Sequence, residues 1–203
     1  MKKVKWIVFG FLSVLVSLYP IKYFFSAKNV GLLSSKSEEL LADQFWNIGF
    51  FGHISFGGIA LLIGWIQFSD KLRLKNIKLH KNIGKLYAIA VFISALCGIY
   101  IGFYATGGII TQSGFISLGL FWFTSTFLGF KHIRNGNVKS HQMFMIYSYA
   151  ACFAAVTLRL WLPVLMILMD DFIPAYQIIA WLCWVPNVIV AYFIIARKSL
   201  FIG

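Results

Sequence analysis

The sequence predicts an all-α membrane protein, a helical bundle that crosses the bilayer six times with both termini in the cytoplasm. Of its 203 residues, 60% are hydrophobic and only 12% are charged, whereas soluble domains carry about 25% charged residues. Six stretches reach the length of about 20 apolar residues that a spanning helix needs. Lys and Arg collect in alternate loops between those stretches. We therefore expect a single multi-pass domain, residues 1–203, in the cell membrane.

Each predicted span is an apolar run bounded by polar or charged residues. The first follows Lys5 and resembles a signal peptide. Its apolar run is long, and Phe25-Ser26-Ala27 is a poor cleavage site, so we expect an uncleaved helix. The fourth span is short and the fifth long, which predicts a tilted helix or an interfacial end there. The six predicted spans are 5–25, 46–68, 85–105, 115–131, 143–168 and 177–196.

The distribution of charge predicts the orientation. With the N-terminus inside, the cytoplasmic segments hold fourteen of the eighteen basic residues and a single acidic residue, Asp70. The outer segments hold three basic and five acidic residues. This asymmetry follows the positive-inside rule at every loop. It also accounts for the net charge of +12, so the lipid bilayer, and not nucleic acid, is the predicted partner.

The cysteines give no evidence for a disulfide or a zinc site. Cys97, Cys152 and Cys183 all lie in apolar stretches, and no CxxC pair occurs. Nucleotide-binding loops, nucleophile elbows and zinc-protease motifs are also absent from the sequence. The spans contain no Asp or Glu, which disfavours a cation carrier that depends on buried carboxylates.

A histidine lies on a stripe of small residues in the second span. Small or polar side chains recur there at steps of three and four residues, which places them on one face of a helix. Small residues allow another backbone or a flat cofactor to approach closely. We expect His53 to face protein or a cavity, either as a haem ligand, proton relay or substrate contact, or as a packing residue bonded across a helix pair. The stripe comprises Gly49, His53, Gly57, Ala60, Gly64 and Gln67.

The fifth span carries a buried arginine. His141 and Arg159 are eighteen residues apart on one stripe, about five turns, so they share a face at opposite ends of the span. Arg159 falls at a depth similar to that of His53, and the two are predicted to flank one ligand site. An arginine there binds a haem propionate or a substrate carboxylate. The alternative is that it extends outward and pairs with Asp170 or Asp171.

The other histidines lie at the cytoplasmic interface. His80 precedes the third span, His132 ends the fourth and His141 begins the fifth. Three histidines on one side suggest a metal or haem site between helix ends. The alternative is ordinary interfacial sequence, since each histidine lies among Lys and Arg and no HxxxH spacing is present.

Three separated elements of the sequence run from His53 to Phe68, from Leu79 to Tyr87, and from His141 to Pro163. In order and spacing they resemble the predicted membrane proteins called domain of unknown function 2306. One position departs from the pattern, because Tyr147 stands where the family tends to carry a basic residue. The resemblance implies a small multi-spanning protein and assigns no activity. It implies seven positions of interest: His53, Gln67, His80, Gly84, Tyr87, His141 and Arg159.

Three functions are consistent with these residues. The first is electron transfer through haem b or to a quinone, in which histidine is an axial ligand and arginine contacts a propionate. The second is a carrier or sensor for a small molecule, with His53, Gln67 and Arg159 lining a cavity. The third is a scaffold or assembly factor whose polar residues only join helices. His132 and Tyr87 are secondary candidates in each case, and the sequence does not decide whether the protein is an enzyme.

Overall fold

A computed structural model describes residues 2–25 and 31–200. Within these ranges the chain is helical, without strands, and six segments are long and apolar enough to cross a membrane. The predicted all-α class and the number of six candidate spans are therefore confirmed. The six segments are Val4–Phe25, Gln44–Phe68, Ile77–Gly102, Ile109–Arg134, Val138–Met169 and Phe172–Arg197.

The helices are numbered in chain order. Two short 3-10 segments, Gly31–Ser35 and Trp65–Phe68, stand before α3 and after α4. The helices are α1 Lys2–Leu18, α2 Ile21–Phe25, α3 Glu38–Ala42, α4 Gln44–Gly64, α5 Asp70–Lys75, α6 Ile77–Gly102, α7 Ile109–Arg134, α8 Val138–Cys152, α9 Ala154–Met169, α10 Phe172–Leu182 and α11 Val185–Arg197.

Side-chain caps fix the starts of α4, α6, α8 and α10. Asp43 Oδ1 accepts the Trp46 N–H at 2.8 Å at the start of α4. Asn76, Asn137 and Asp171 cap α6, α8 and α10 in the same way, at 2.9, 3.0 and 2.9 Å. Each cap satisfies a backbone donor that the first helical turn leaves free. Polar residues just before the apolar runs therefore determine where the helices begin.

The fourth span is longer than its sequence predicts. Gly107 and Gly108 adopt φ of 99° and 71°, a conformation that glycine enters without steric cost. The helix α7 therefore begins directly after these two glycines, and the polar residues of its first turns belong to the spanning helix. Gln112 Nε2 donates to Phe103 O at 2.9 Å, so its amide nitrogen is satisfied near the helix end. The span has 26 residues, more than the length of about 20 required, so the predicted short fourth span is wrong.

The fifth and sixth spans are both broken in the middle, and one asparagine joins the breaks. The first break lies between α8 and α9, and the second between α10 and α11. The two hydrogens of Asn187 Nδ2 are shared among three acceptors, namely Cys183 O and Thr157 Oγ1, both at 3.0 Å, and Ala150 O at 3.3 Å. The Thr157 hydroxyl also donates to Cys183 O. Irregular backbone is tolerated at membrane depth where such bonds satisfy it.

The small-residue face of α4 packs against other helices, as its spacing predicts. A Cβ at Gly49 would lie 2.8 Å from the Tyr100 ring, and one at Gly64 would lie 2.5 Å from the Tyr149 ring. Ala60 is fully buried. These approaches leave no room for a larger side chain. The α4 face that carries His53 is therefore inside the bundle.

Candidate functional site

A cavity of about 640 Å³ lies inside the bundle between α1, α2, α4, α6, α7, α8, α9 and α10. Its volume is in the range of about 300–1,000 Å³ that is usual for small-molecule sites. Most of its wall is aliphatic or aromatic, and few polar side chains interrupt it. The polar side chains of the wall include His53, Arg159 and Lys36.

His53 projects from α4 into this cavity and is held by α6. Its Nδ1 lies 2.9 Å from Ser94 O and 3.2 Å from Ser94 Oγ, and Ser94 Oγ donates in turn to His53 O at 2.9 Å. Gly98 lies one turn further along α6, where a Cβ would be only 2.7 Å from Nδ1. The glycine therefore leaves the space in which the imidazole reaches the Ser94 carbonyl.

These bonds determine which ring nitrogen of His53 holds a proton. A carbonyl oxygen can only accept, and the Ser94 hydroxyl uses its single hydrogen on His53 O. Nδ1 is therefore the donor. Nε2 has no hydrogen-bond partner among the described residues and is not one of the fully buried polar atoms. It thus faces the open cavity, and in the neutral imidazole it is an acceptor.

Arg159 enters the same cavity from α9. Its guanidinium carbon lies 4.4 Å from the centroid of the Tyr19 ring, a cation–π contact, and Nη1 donates to Ala155 O at 2.8 Å. Nε is buried and has no partner in the described part of the chain. His53 and Arg159 are within range of an electrostatic interaction. The structure therefore brings these two predicted site residues to one cavity.

No side-chain carboxylate neutralises Arg159. All six Asp and Glu residues of the sequence fall within the described residues. In those ranges the one ion pair joins Arg73 to Asp70, at 2.6 Å. Asp171, the alternative partner predicted from the sequence, instead caps α10 through Ile173 N. The arginine is thus a cation in an apolar cavity without an anion beside it, an arrangement that costs free energy.

Lys36 is a second cation at the wall of the cavity, next to the loop between α6 and α7. Its Nζ donates to Tyr104 O and, at 3.0 Å, to Thr106 Oγ1. Burial lowers the pKa of Lys36 from its ordinary value of 10.5 to about 8. Sequence reasoning missed this residue because its place depends on a loop, and loops have no periodicity to read.

Three other candidates lie apart from the cavity, near the loops that carry most of the basic residues (the basic end). Gln67, His80 and His141 are absent from the cavity wall. His80 and His141 interact electrostatically, and His141 Nδ1 lies 2.9 Å from Gly129 O. Gln67 Nε2 and His80 Nδ1 are buried and have no partner within the described residues. The predicted joint lining of one cavity by His53, Gln67 and Arg159 is therefore wrong for Gln67.

The two secondary candidates have packing contacts. The His132 ring stacks on Phe144, with centroids 5.3 Å apart and planes 9° apart. Tyr87 is buried, and its hydroxyl lies 2.8 Å from Ser148 Oγ, which in turn lies 2.7 Å from Thr126 Oγ1. These bonds join α6, α7 and α8 below the cavity. Among the described residues, no three His, Cys, Asp or Glu side chains are grouped as a metal would require.

The family comparison covers most of the chain. The family described as "Predicted membrane protein (DUF2306)" matches residues 50–195. The chain belongs to this family. All three elements that suggested the resemblance, from His53 to Pro163, fall inside the matched DUF2306 region. No curated protein and no solved structure matches the chain. The family match establishes a membrane protein and leaves its activity to be argued from the site.

Proposed function

We propose that this DUF2306 protein binds, within the membrane, a small molecule with an apolar body and one anionic group, and acts as its carrier or sensor. The observation that carries the proposal is Arg159, a cation in the cavity that no side-chain carboxylate of the chain neutralises. A bound anion would supply the missing charge and accept the free guanidinium donors.

The rest of the wall supports the same class of ligand. Lys36 adds a second positive charge to the wall of the cavity. Leu61, Leu118 and other aliphatic side chains provide surface for an apolar body. Burial of that body stabilises the complex by about 25 cal/mol per Å² of apolar surface. A ligand with one negative charge and an apolar chain would therefore match both the basic side chains and the apolar surface of the cavity.

The proposal is tested by measuring the binding of decanoate to the protein in lipid nanodiscs. Tritiated decanoate is detected by scintillation proximity, and empty nanodiscs give the background. We expect Arg159→Gln to weaken decanoate binding about 10- to 100-fold, because a charge-assisted hydrogen bond contributes about 1.5–3 kcal/mol. Unlabelled decan-1-ol lacks the anionic group, so its inhibition constant, after correction for the affinity of the label, should be the same for the two proteins.

Lys22→Gln is the matched control. Lys22 Nζ lies 4.3 Å from the centroid of the same Tyr19 ring, but Lys22 does not line the cavity. This variant removes one positive charge near the site without removing a ligand contact, so decanoate affinity should stay within about twofold. Equal losses of decanoate affinity in Arg159→Gln and Lys22→Gln would mean that binding depends on the overall positive charge near the cavity and not on a contact with Arg159. Absence of saturable decanoate binding would reject the proposal and favour a scaffold.

A second candidate, haem b for electron transfer, is favoured by the bonding of His53. Metal-ligating histidines usually donate their other ring N–H to a carbonyl or carboxylate, as Nδ1 does to Ser94 O. His53 Nε2 would be the axial ligand, and Arg159 would contact a propionate, or a quinone oxygen in a quinone site. No second histidine lines the cavity, and all four histidines of the chain are described. A haem absorbance band that His53→Ala abolishes while the protein still inserts would support this candidate.

A further inference from the structure

The cavity offers two different kinds of polar contact, and one anionic group uses only one of them. Arg159 and Lys36 present donors, whereas His53 Nε2 presents an acceptor. His53 Nε2 thus differs from the two cations of the wall, because it needs a ligand group that donates a hydrogen.

The acceptor role of His53 follows from its bonds to α6. The Ser94 carbonyl and hydroxyl oxygens, 2.9 and 3.2 Å away, hold the proton on Nδ1. Gly98 packs against the ring, where a Cβ would lie 3.0 Å from Cε1. No described residue occupies Nε2. An acceptor fixed in an apolar wall contributes binding free energy when a ligand donates to it.

We propose that the ligand is an apolar hydroxy acid, with its anionic group at Arg159 and a hydroxyl hydrogen donated to His53 Nε2. This inference rests on the proposed function, since it concerns the same cavity and the same anionic group. It adds a second, neutral polar group to the ligand and makes His53 the residue that selects for it. A ligand without this hydroxyl leaves Nε2 unpaired, which gives the site its preference.

The inference is tested with decanoate and its 2-, 3- and 10-hydroxy derivatives as competitors in the nanodisc assay. Because the hydroxyl donates one additional hydrogen bond, we expect at least one derivative to bind the unaltered protein about 3- to 10-fold more tightly than decanoate. Two variants of His53 separate the contact of Nδ1 with Ser94 from the contact of Nε2 with the ligand. Asn resembles the Nδ1 side and keeps a donor for Ser94, whereas Gln extends far enough to place an amide oxygen near the position of Nε2.

The variants predict different patterns. In His53→Asn the ratio of the affinity for the hydroxylated derivative to the affinity for decanoate should fall to about one. In His53→Gln part of the preference should return. A derivative preference that persists in His53→Asn, or no preference in the unaltered protein, would overturn the inference.

The outcomes also separate this inference from the proposed function. If decanoate binds and depends on Arg159, but hydroxylation gives no gain, only the hydroxy-acid inference fails. If His53→Asn weakens decanoate itself as strongly as Arg159→Gln does, one carboxyl group contacts both residues, and the two-group ligand is wrong. If decanoate shows no saturable binding, the proposed function fails first.

Discussion

Gly98→Ala should disturb His53 without touching any other candidate residue. The added Cβ would lie 2.7 Å from His53 Nδ1, 3.0 Å from Cε1 and 3.7 Å from Cγ. Carbon atoms in packed proteins approach other heavy atoms to about 3.5–4.0 Å. The imidazole must therefore move by the better part of an ångström or α4 must separate from α6. Either movement lengthens the 2.9 Å bond from Nδ1 to Ser94 O.

The cost of this change follows from overpacking together with a weakened hydrogen bond. Inserting a methyl group into a packed core typically costs about 1–3 kcal/mol. The higher helix propensity of alanine returns up to about 1 kcal/mol. We expect a net loss of about 1–2 kcal/mol in the free energy of unfolding, and a weaker preference for hydroxylated decanoate.

The assay is reversible unfolding in mixed detergent micelles, followed by circular dichroism. Gly84→Ala is the matched control, because Gly84 lies on the same helix and a Cβ there would meet only Gln67 Oε1 at 3.8 Å, an ordinary contact. That variant should be as stable as the unaltered protein or more stable by up to about 1 kcal/mol. If Gly98→Ala matched Gly84→Ala in stability and in ligand preference, the packing argument for His53 would be refuted.

Three further predictions concern packing, charge and topology. Tyr149→Phe removes a 3.0 Å bond to Leu61 O and should lower the free energy of unfolding by about 0.5–1.5 kcal/mol. Tyr147→Phe is the control in the same unfolding assay and should be neutral, because the Tyr147 hydroxyl has no bond in the described chain. Protonated Lys36 attracts the anion, and its pKa is about 8. Decanoate affinity should therefore be constant between about pH 6 and 7, where the carboxylate is ionised, and fall as the pH rises above 8. A pH profile unchanged by Lys36→Gln would contradict this. A reporter fused into 106–114 should be extracytoplasmic, and a cytoplasmic result would overturn the predicted orientation of the termini.

The sequence by itself determined the class of fold and much of its packing. Apolar run length predicts six spans because the bilayer excludes unsatisfied backbone, so composition alone limits the architecture. The spacing of Gly49, Ala60 and Gly64 predicts which face of α4 is inside, since helical periodicity is local. The helical rise per residue, counted from the ends of the spans, places His53 and Arg159 at similar depths. The start of α7 was less predictable, because the polar residues near Gln112 are typical of a loop. Only the structure shows the hydrogen bonds that allow them to lie in the helix.

Only the tertiary structure decided which polar residues share a site. Gln67 lies on the predicted stripe with His53, yet it is about four turns away at the basic end. A stripe continues along the whole helix, whereas the cavity extends over only part of the helix length. Lys36 joins the cavity through loop bonds to Tyr104 and Thr106 that no pattern encodes. Whether a carboxylate lies beside Arg159 likewise depends on how the helices and loops pack in the folded protein. Contacts between segments far apart in the chain depend on packing, and local sequence does not specify them.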